Sequence, residues 1–214
     1  MKSDAATPET SVGSPAWPRV SWIAALMLLT IGYRVWVAES DADHLWNTAP
    51  LMATCFGGGL LLGWRFCWVP ALLLLVSDIF LGLSHDTGVG TYTLTSAVAY
   101  TAFACLGAAI GRGTLGKHWW VMVAGTLTSS VLFYVLGNTW AWLSMPEYAK
   151  SFAGWWQSQT VGLPGPWPPS LFFLRNALIG DTIWCLFATP LFFWKPVRSC
   201  QAGDESISAA AIAS

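Results

Sequence analysis

Six long apolar stretches fill most of this chain and decide what it can become: about Val20–Ala38, Thr48–Trp64, Cys67–Leu83, Tyr92–Gly111, Trp119–Leu143 and Leu171–Trp194. A helix needs roughly 20 residues to cross a bilayer, and the second and third stretches lie at the short end of the tolerated range. In hydrocarbon each backbone polar group must be satisfied within its own segment, so such runs read as helices. Charged residues make up 10 % of the chain, against about 25 % in a soluble domain, and the mean hydropathy is +0.53. The expected fold is an all-α integral membrane protein with six transmembrane helices over residues 20–196. Polar, low-complexity tails at 1–19 and 197–214 are expected to be disordered.

Basic residues set the orientation of such a bundle. With the N-terminus inside, the inner side holds Lys2, Arg19, Arg65, Arg112, Lys117, Lys195 and Arg198, and the outer loops hold only Lys150. The outer connections carry Glu39, Asp41, Asp43, Asp86 and Glu147 instead. That asymmetry predicts both termini in the cytoplasm, with the lipid bilayer as the main surroundings.

Polar groups inside the apolar runs are the candidates for function. A charge at the bilayer centre costs about 2.5–3.5 kcal/mol even on a lenient scale, so it faces a protein interior or a watery cavity. Asp78 sits near the outer end of helix 3 and Asp181 near the middle of helix 6. Arg34, Asn47, Asn138, Arg175 and Asn176 all lie toward the outer ends of their segments. An outward-facing small-molecule site would use Asp78, Arg175 and Asp181 first and the other four second. In it Arg175 would hold a carboxylate or phosphate, and the aspartates an amine or ring N–H. Arg175 and Asp181 are about 240° apart around their helix, so each must look to another helix, with Arg34–Asp78 and Arg175–Asp78 as possible pairs. The outer connection Ser144–Ser170 spans roughly 27 residues, long for a compact domain. Its Trp155, Trp156 and Trp167 are candidates for a lid over a flat ligand.

Two other readings use the same residues. Two arginines and two aspartates balance in charge, so they can form a purely structural network in an assembly subunit of a membrane complex. Asp78 and Asp181 can in principle do acid–base work as a membrane enzyme. The chain contains no GxSxG, HExxH or Walker loop, so an enzyme is not expected. The five cysteines form no CxxC and the three histidines fall in loops, so neither a disulfide, a metal nor a cofactor is expected. No nucleic-acid partner is expected either. Gly59-x-x-x-Gly63 and Gly107-x-x-x-Gly111 predict close packing of helices within the chain.

A set of residues also carries a resemblance. It runs through Arg34, Asn47-Thr-Ala-Pro50, Phe56-Gly-Gly58, Pro70, Ser77-Asp78, Tyr100, Gly107, Ser129-Ser130, Asn138, Tyr148 and Phe172-Phe-Leu-Arg-Asn176, ending at Gly180-Asp181. This pattern resembles an uncharacterised bacterial six-helix membrane family. That family is similar to the substrate-binding S components of energy-coupling factor (ECF) vitamin transporters. The resemblance implies a compact S-component-like bundle in the bacterial inner membrane, with a ligand pocket open to the outside. It implies a vitamin- or metabolite-like ligand, and a separate membrane scaffold with ATPases as partners. Such scaffolds are met by an Ala-x-x-x-Ala pattern on helix 1, for which the nearest match here is Ser21-x-x-x-Ala25.

Overall fold

A computed structural model describes residues 17–40, 43–85, 89–165 and 168–193. Residues 1–16 of the expected tail at 1–19, the expected tail at 197–214 with Cys200, and the proposed lid residue Trp167 lie outside the described residues. Every regular element described is helical. Beside three single 3-10 turns, in chain order they are α1 (Trp17–Glu39), a π-helical turn (Ala53–Gly57) that runs on into α2 (Gly58–Leu62), α3 (Val69–His85), α4 (Thr91–Gly111), α5 (Trp119–Ser144), α6 (Phe152–Thr160) and α7 (Ser170–Phe193).

The all-α expectation holds, and the count of helices changes. Four segments are long and apolar enough to cross a membrane: Trp64–Leu83, Thr91–Gly111, Trp119–Ser144 and Ser170–Thr189. The expected second span is shorter than its apolar run, with an apolar helix only at Ala53–Leu62. Pro50 precedes it, and Gly63 ends it at φ 76°, a left-handed conformation that suits glycine. A further helix, α6, stands in the stretch expected to be a loop. Ser151 caps it by accepting the Gly154 N–H at 3.3 Å, and Gly162 closes it at φ 73° with its N–H on the Gln157 carbonyl at 2.8 Å. Helix α1 begins at Trp17, inside the segment expected to be a disordered tail.

Bare backbone contacts hold the centre together. A Cβ on Gly59 would lie 2.0 Å from the Ala104 carbonyl oxygen, one on Gly107 2.3 Å from that of Phe56, and one on Gly111 2.3 Å from that of Leu60. Gly59, Gly107 and Gly111 thus pack α2 and α4 against each other within the chain, as small residues allow in membrane helices, whereas Gly63 ends its helix and a Cβ there would meet nothing within 4 Å. Gly180 likewise brings α7 against the Thr48 carbonyl, where a Cβ would lie 2.1 Å away. Gly125 on α5 leaves the space that the Phe56 ring fills. Phe56 is 1 % exposed and packs with Leu60, Met122 and Cys185. The bundle's outside is apolar: Leu83, Val98 and Phe187 are 80 %, 71 % and 69 % exposed. Exposed apolar area of this kind is cheap in lipid and costly in water.

Candidate functional site

A cavity of about 660 Å³ opens among α1, the segment before α2, α3, α4, α5 and α7. It lies toward the ends of α1, α3 and α5 and the beginnings of α4 and α7. That volume falls within the roughly 300–1,000 Å³ typical of small-molecule sites. Aromatic rings stand on several sides of it, among them Tyr33, Trp46, Tyr92, Tyr100, Phe133 and Tyr134.

Arg34 and Asp78 meet on this wall. The Arg34 guanidinium pairs with the Asp78 carboxylate at 2.6 Å, and it also donates to Ser77 Oγ. Thr93 on α4 donates its hydroxyl to the other Asp78 oxygen at 2.7 Å. Three helices are therefore joined through one carboxylate. The cross-helix pair Arg34–Asp78 is present, and Arg175–Asp78 is not: Arg175 lies against the Phe172 ring at 4.4 Å and donates to Asn176 Oδ1 at 3.1 Å.

Asp181 lies at the inner limit of the cavity and is 2 % exposed. Its Oδ1 accepts the Ala53 N–H at 2.9 Å, and its Oδ2 lies 2.5 Å from Ser130 Oγ on α5. The Ala53 N–H belongs to the first turn of the second helical segment, where backbone donors have no partner within the helix. Asp181 thus caps a helix from a distance of 128 residues in sequence.

The candidate residues divide. Asp78, Asp181, Arg34, Asn47 and Asn138 line the cavity, while Arg175, Asn176, Trp155 and Trp156 do not. Asn47 takes φ 63° and donates to the Phe173 carbonyl at 3.0 Å. Asn138 donates to the Tyr134 carbonyl of its own helix at 2.9 Å. Asn176, 3 % exposed, donates to the His44 and Trp46 carbonyls at 2.9 and 2.8 Å and so pins the loop that forms one rim. Trp155 donates to Thr139 on α5 at 3.0 Å, and Trp156 is 57 % exposed. Both belong to α6, which packs against α5 and α7 and contributes no residue to the cavity lining. Arg175 and these tryptophans therefore stand apart from the cavity lining, Arg175 against Phe172 and Asn176 and Trp155 against Thr139.

Several lining groups were not singled out as candidates from the sequence. Tyr33, which shares a 2.7 Å hydrogen bond with Thr48, and Thr93, Ser96 and Tyr134 are among them. Hydroxyl residues are ordinary in apolar helices, where they bond back to their own backbone, so composition alone does not mark them. Among the described residues no three His, Cys, Asp or Glu side chains converge as a metal site would require. Cys55, Cys67, Cys105 and Cys185 are free thiols.

No curated protein and no solved structure matches the chain. A family of unknown function matches residues 14–198, which include every element just described. The chain belongs to that family, DUF6580.

Proposed function

We propose that this protein is a membrane-embedded small-molecule binding or uptake protein whose site opens to the outer face of the bacterial inner membrane. The observation that carries the reading is the cavity of about 660 Å³ with Arg34, Asp78 and Asp181 on its lining. Charged groups at membrane depth are tolerated where they face such a space. The distribution of basic residues supports an orientation with both termini inside, which turns the cavity outward. In this reading the chain crosses six times, with α1, the π-helical segment with α2, α3, α4, α5 and α7 as spans, and α6 lies along the outer side. A vitamin- or metabolite-like ligand and an S-component-like partnership with a scaffold and ATPases follow from the resemblance in the sequence.

Gly137 offers the test. It lines the cavity, and a side chain started there meets no atom within 4 Å. Gly137→Phe should fold and fill the space. Native mass spectrometry on protein released gently from its own host membrane should show a small-molecule adduct on the wild type and none on Gly137→Phe. An adduct that survives the substitution places the ligand elsewhere and defeats the reading.

A second reading has one observation in its favour: Asp78, Asp181 and Arg34 each already have partners within the chain. A structural subunit of a membrane complex would need no more than that. It predicts a bare chain with a co-purifying protein subunit in the same spectrum.

A further inference from the structure

Asp181 differs from Asp78 in having no cation beside it among the described residues. The groups that titrate around it are Cys55 from the π-helical turn, Cys185 one turn along α7, and Tyr100 from α4. Tyr33, Tyr92 and Tyr134 face the same cavity from α1, α4 and α5, and Arg34 and Asp78 face it as a pair that cancels in charge. Nothing in this set offsets a charge on Asp181.

The hydrogen bonds count protons more directly. Ser130 Oγ lies 2.5 Å from Asp181 Oδ2 and 3.0 Å from the Thr126 carbonyl oxygen. A serine hydroxyl carries one proton. If Asp181 is ionised, that proton serves either the carboxylate or the carbonyl, and the other contact has no hydrogen in it. If Oδ2 carries a proton, Asp181 donates to Ser130 and Ser130 donates to Thr126. Oδ1 then acts as the acid's carbonyl and accepts the Ala53 N–H. Each short contact then holds one hydrogen. The ionised form is not stranded either, because the helix N-terminus that offers Ala53 N–H favours negative charge.

We infer that Asp181 carries a proton until a small, flat organic cation enters the cavity and displaces it. This rests on the binding reading above and names the class of ligand. The cation's ammonium or amidinium group takes the proton's place at Oδ2, one proton leaves to bulk water, and the charge of the site is unchanged. The aromatic residues on the cavity wall, Tyr33, Tyr100, Phe133 and Tyr134 among them, suit the same guest, because ring faces attract cations and stack on flat bodies.

The probes are benzamidinium, neutral benzamide and anionic benzoate, which share one shape. They are titrated against the purified full chain in detergent, following tryptophan fluorescence and thermal stability. Benzamidinium should bind roughly 10- to 100-fold more tightly than the other two, the worth of a charge-assisted hydrogen bond. Its affinity should rise about tenfold per pH unit while one proton is released per cation bound. The infrared carbonyl band of a neutral carboxylic acid should be present in the wild type, lost in Asp181→Asn, and removed by saturating benzamidinium. Asp181→Asn should be as stable as the wild type, since an amide reproduces both hydrogen bonds of the neutral acid, and it should lose the preference for the cation.

An acid band shared by the wild type and Asp181→Asn overturns the inference, as does unchanged benzamidinium binding in that variant. If the three probes bind equally and Gly137→Phe abolishes all of them, the cavity binds ligands and only the cation assignment is wrong. If none binds up to its solubility limit, the cation assignment falls, and the adduct experiment judges the binding reading by itself.

Discussion

Replacing Gly107 by alanine should loosen the seam between α2 and α4, while the same change at Gly137 should do no harm. At Gly107 the new methyl would stand 2.3 Å from the Phe56 carbonyl oxygen and 3.0 Å from the Leu60 nitrogen. Carbon normally stops at about 3.3 Å from a carbonyl oxygen, so the two backbones must part by about 1 Å. Neither neighbour can rotate away, because both are main chain. A gap of that size forfeits about a quarter to a half of each contact along the seam. Overpacking costs about 1–3 kcal/mol, and a backbone-on-backbone clash belongs at the upper end. Alanine's better helix propensity returns about 1 kcal/mol, which leaves a net loss of about 2 kcal/mol. At Gly137 nothing lies within 4 Å, so only the propensity gain of up to about 1 kcal/mol remains. The two variants should therefore differ by about 3 kcal/mol for one chemical change. Titration of the purified protein in mixed micelles with a denaturing detergent, followed by circular dichroism, measures that difference. A Gly107→Ala protein at least as stable as the wild type, or equal shifts at both sites, would refute the close-packing argument.

The other predictions concern charge, the rim loop and orientation. Arg34→Met should cost about 3–5 kcal/mol by stranding the buried Asp78 carboxylate, and adding Asp78→Asn should recover most of it in the same titration. Asn176→Ala removes the bonds to the His44 and Trp46 carbonyls, so it should cost about 1–3 kcal/mol and speed hydrogen exchange around residues 43–47. In a cysteine-free background, Glu147→Cys should react with an impermeant maleimide from outside the cell and Gly113→Cys only after lysis. The opposite pattern would invert the orientation and close the cavity to the outside.

Apolar runs located the long helices well because lipid demands apolar residues on every side, so a span ends where polarity returns. The run Tyr92–Gly111 corresponds to α4 at Thr91–Gly111, and Trp119–Leu143 to α5 at Trp119–Ser144. The same signal overran at Thr48–Trp64, where apolar character continues through residues that are not helical. The breakers Pro50 and Gly63 were in view there and outweighed it. Helix α6 was missed because an aromatic, proline-flanked segment at an interface has no strong period, although Ser151 and Gly162 bracket it as cap residues. In the site, Arg34 and Asp78 were readable as a pair because little else offsets a charge at that depth. The position of Arg175 was not, since a long side chain near a helix end can turn toward several neighbours. The tryptophans offered area without direction, and which side of α5 they cover depends on how α6 packs.

The brief second helix has a consequence for how water reaches the middle of the molecule. From residue 51 to Leu62 the helical stretch is about 18 Å long, against a hydrocarbon slab of about 30 Å. On the six-span topology proposed above, the missing length is made up by irregular chain, whose amides and carbonyls would be intolerable against lipid and are allowed only beside protein or a watery recess. Asn176 takes the His44 and Trp46 carbonyls of that chain, and Asp181 takes the Ala53 N–H where the helix begins. Leu45, Trp46, Asn47 and Ala49 of that chain line the cavity, so on the proposed topology the hollow takes up part of the room that a full-length helix would fill. An insertion of about two turns before Ala53 would complete the span and, by the same stroke, abolish the chamber.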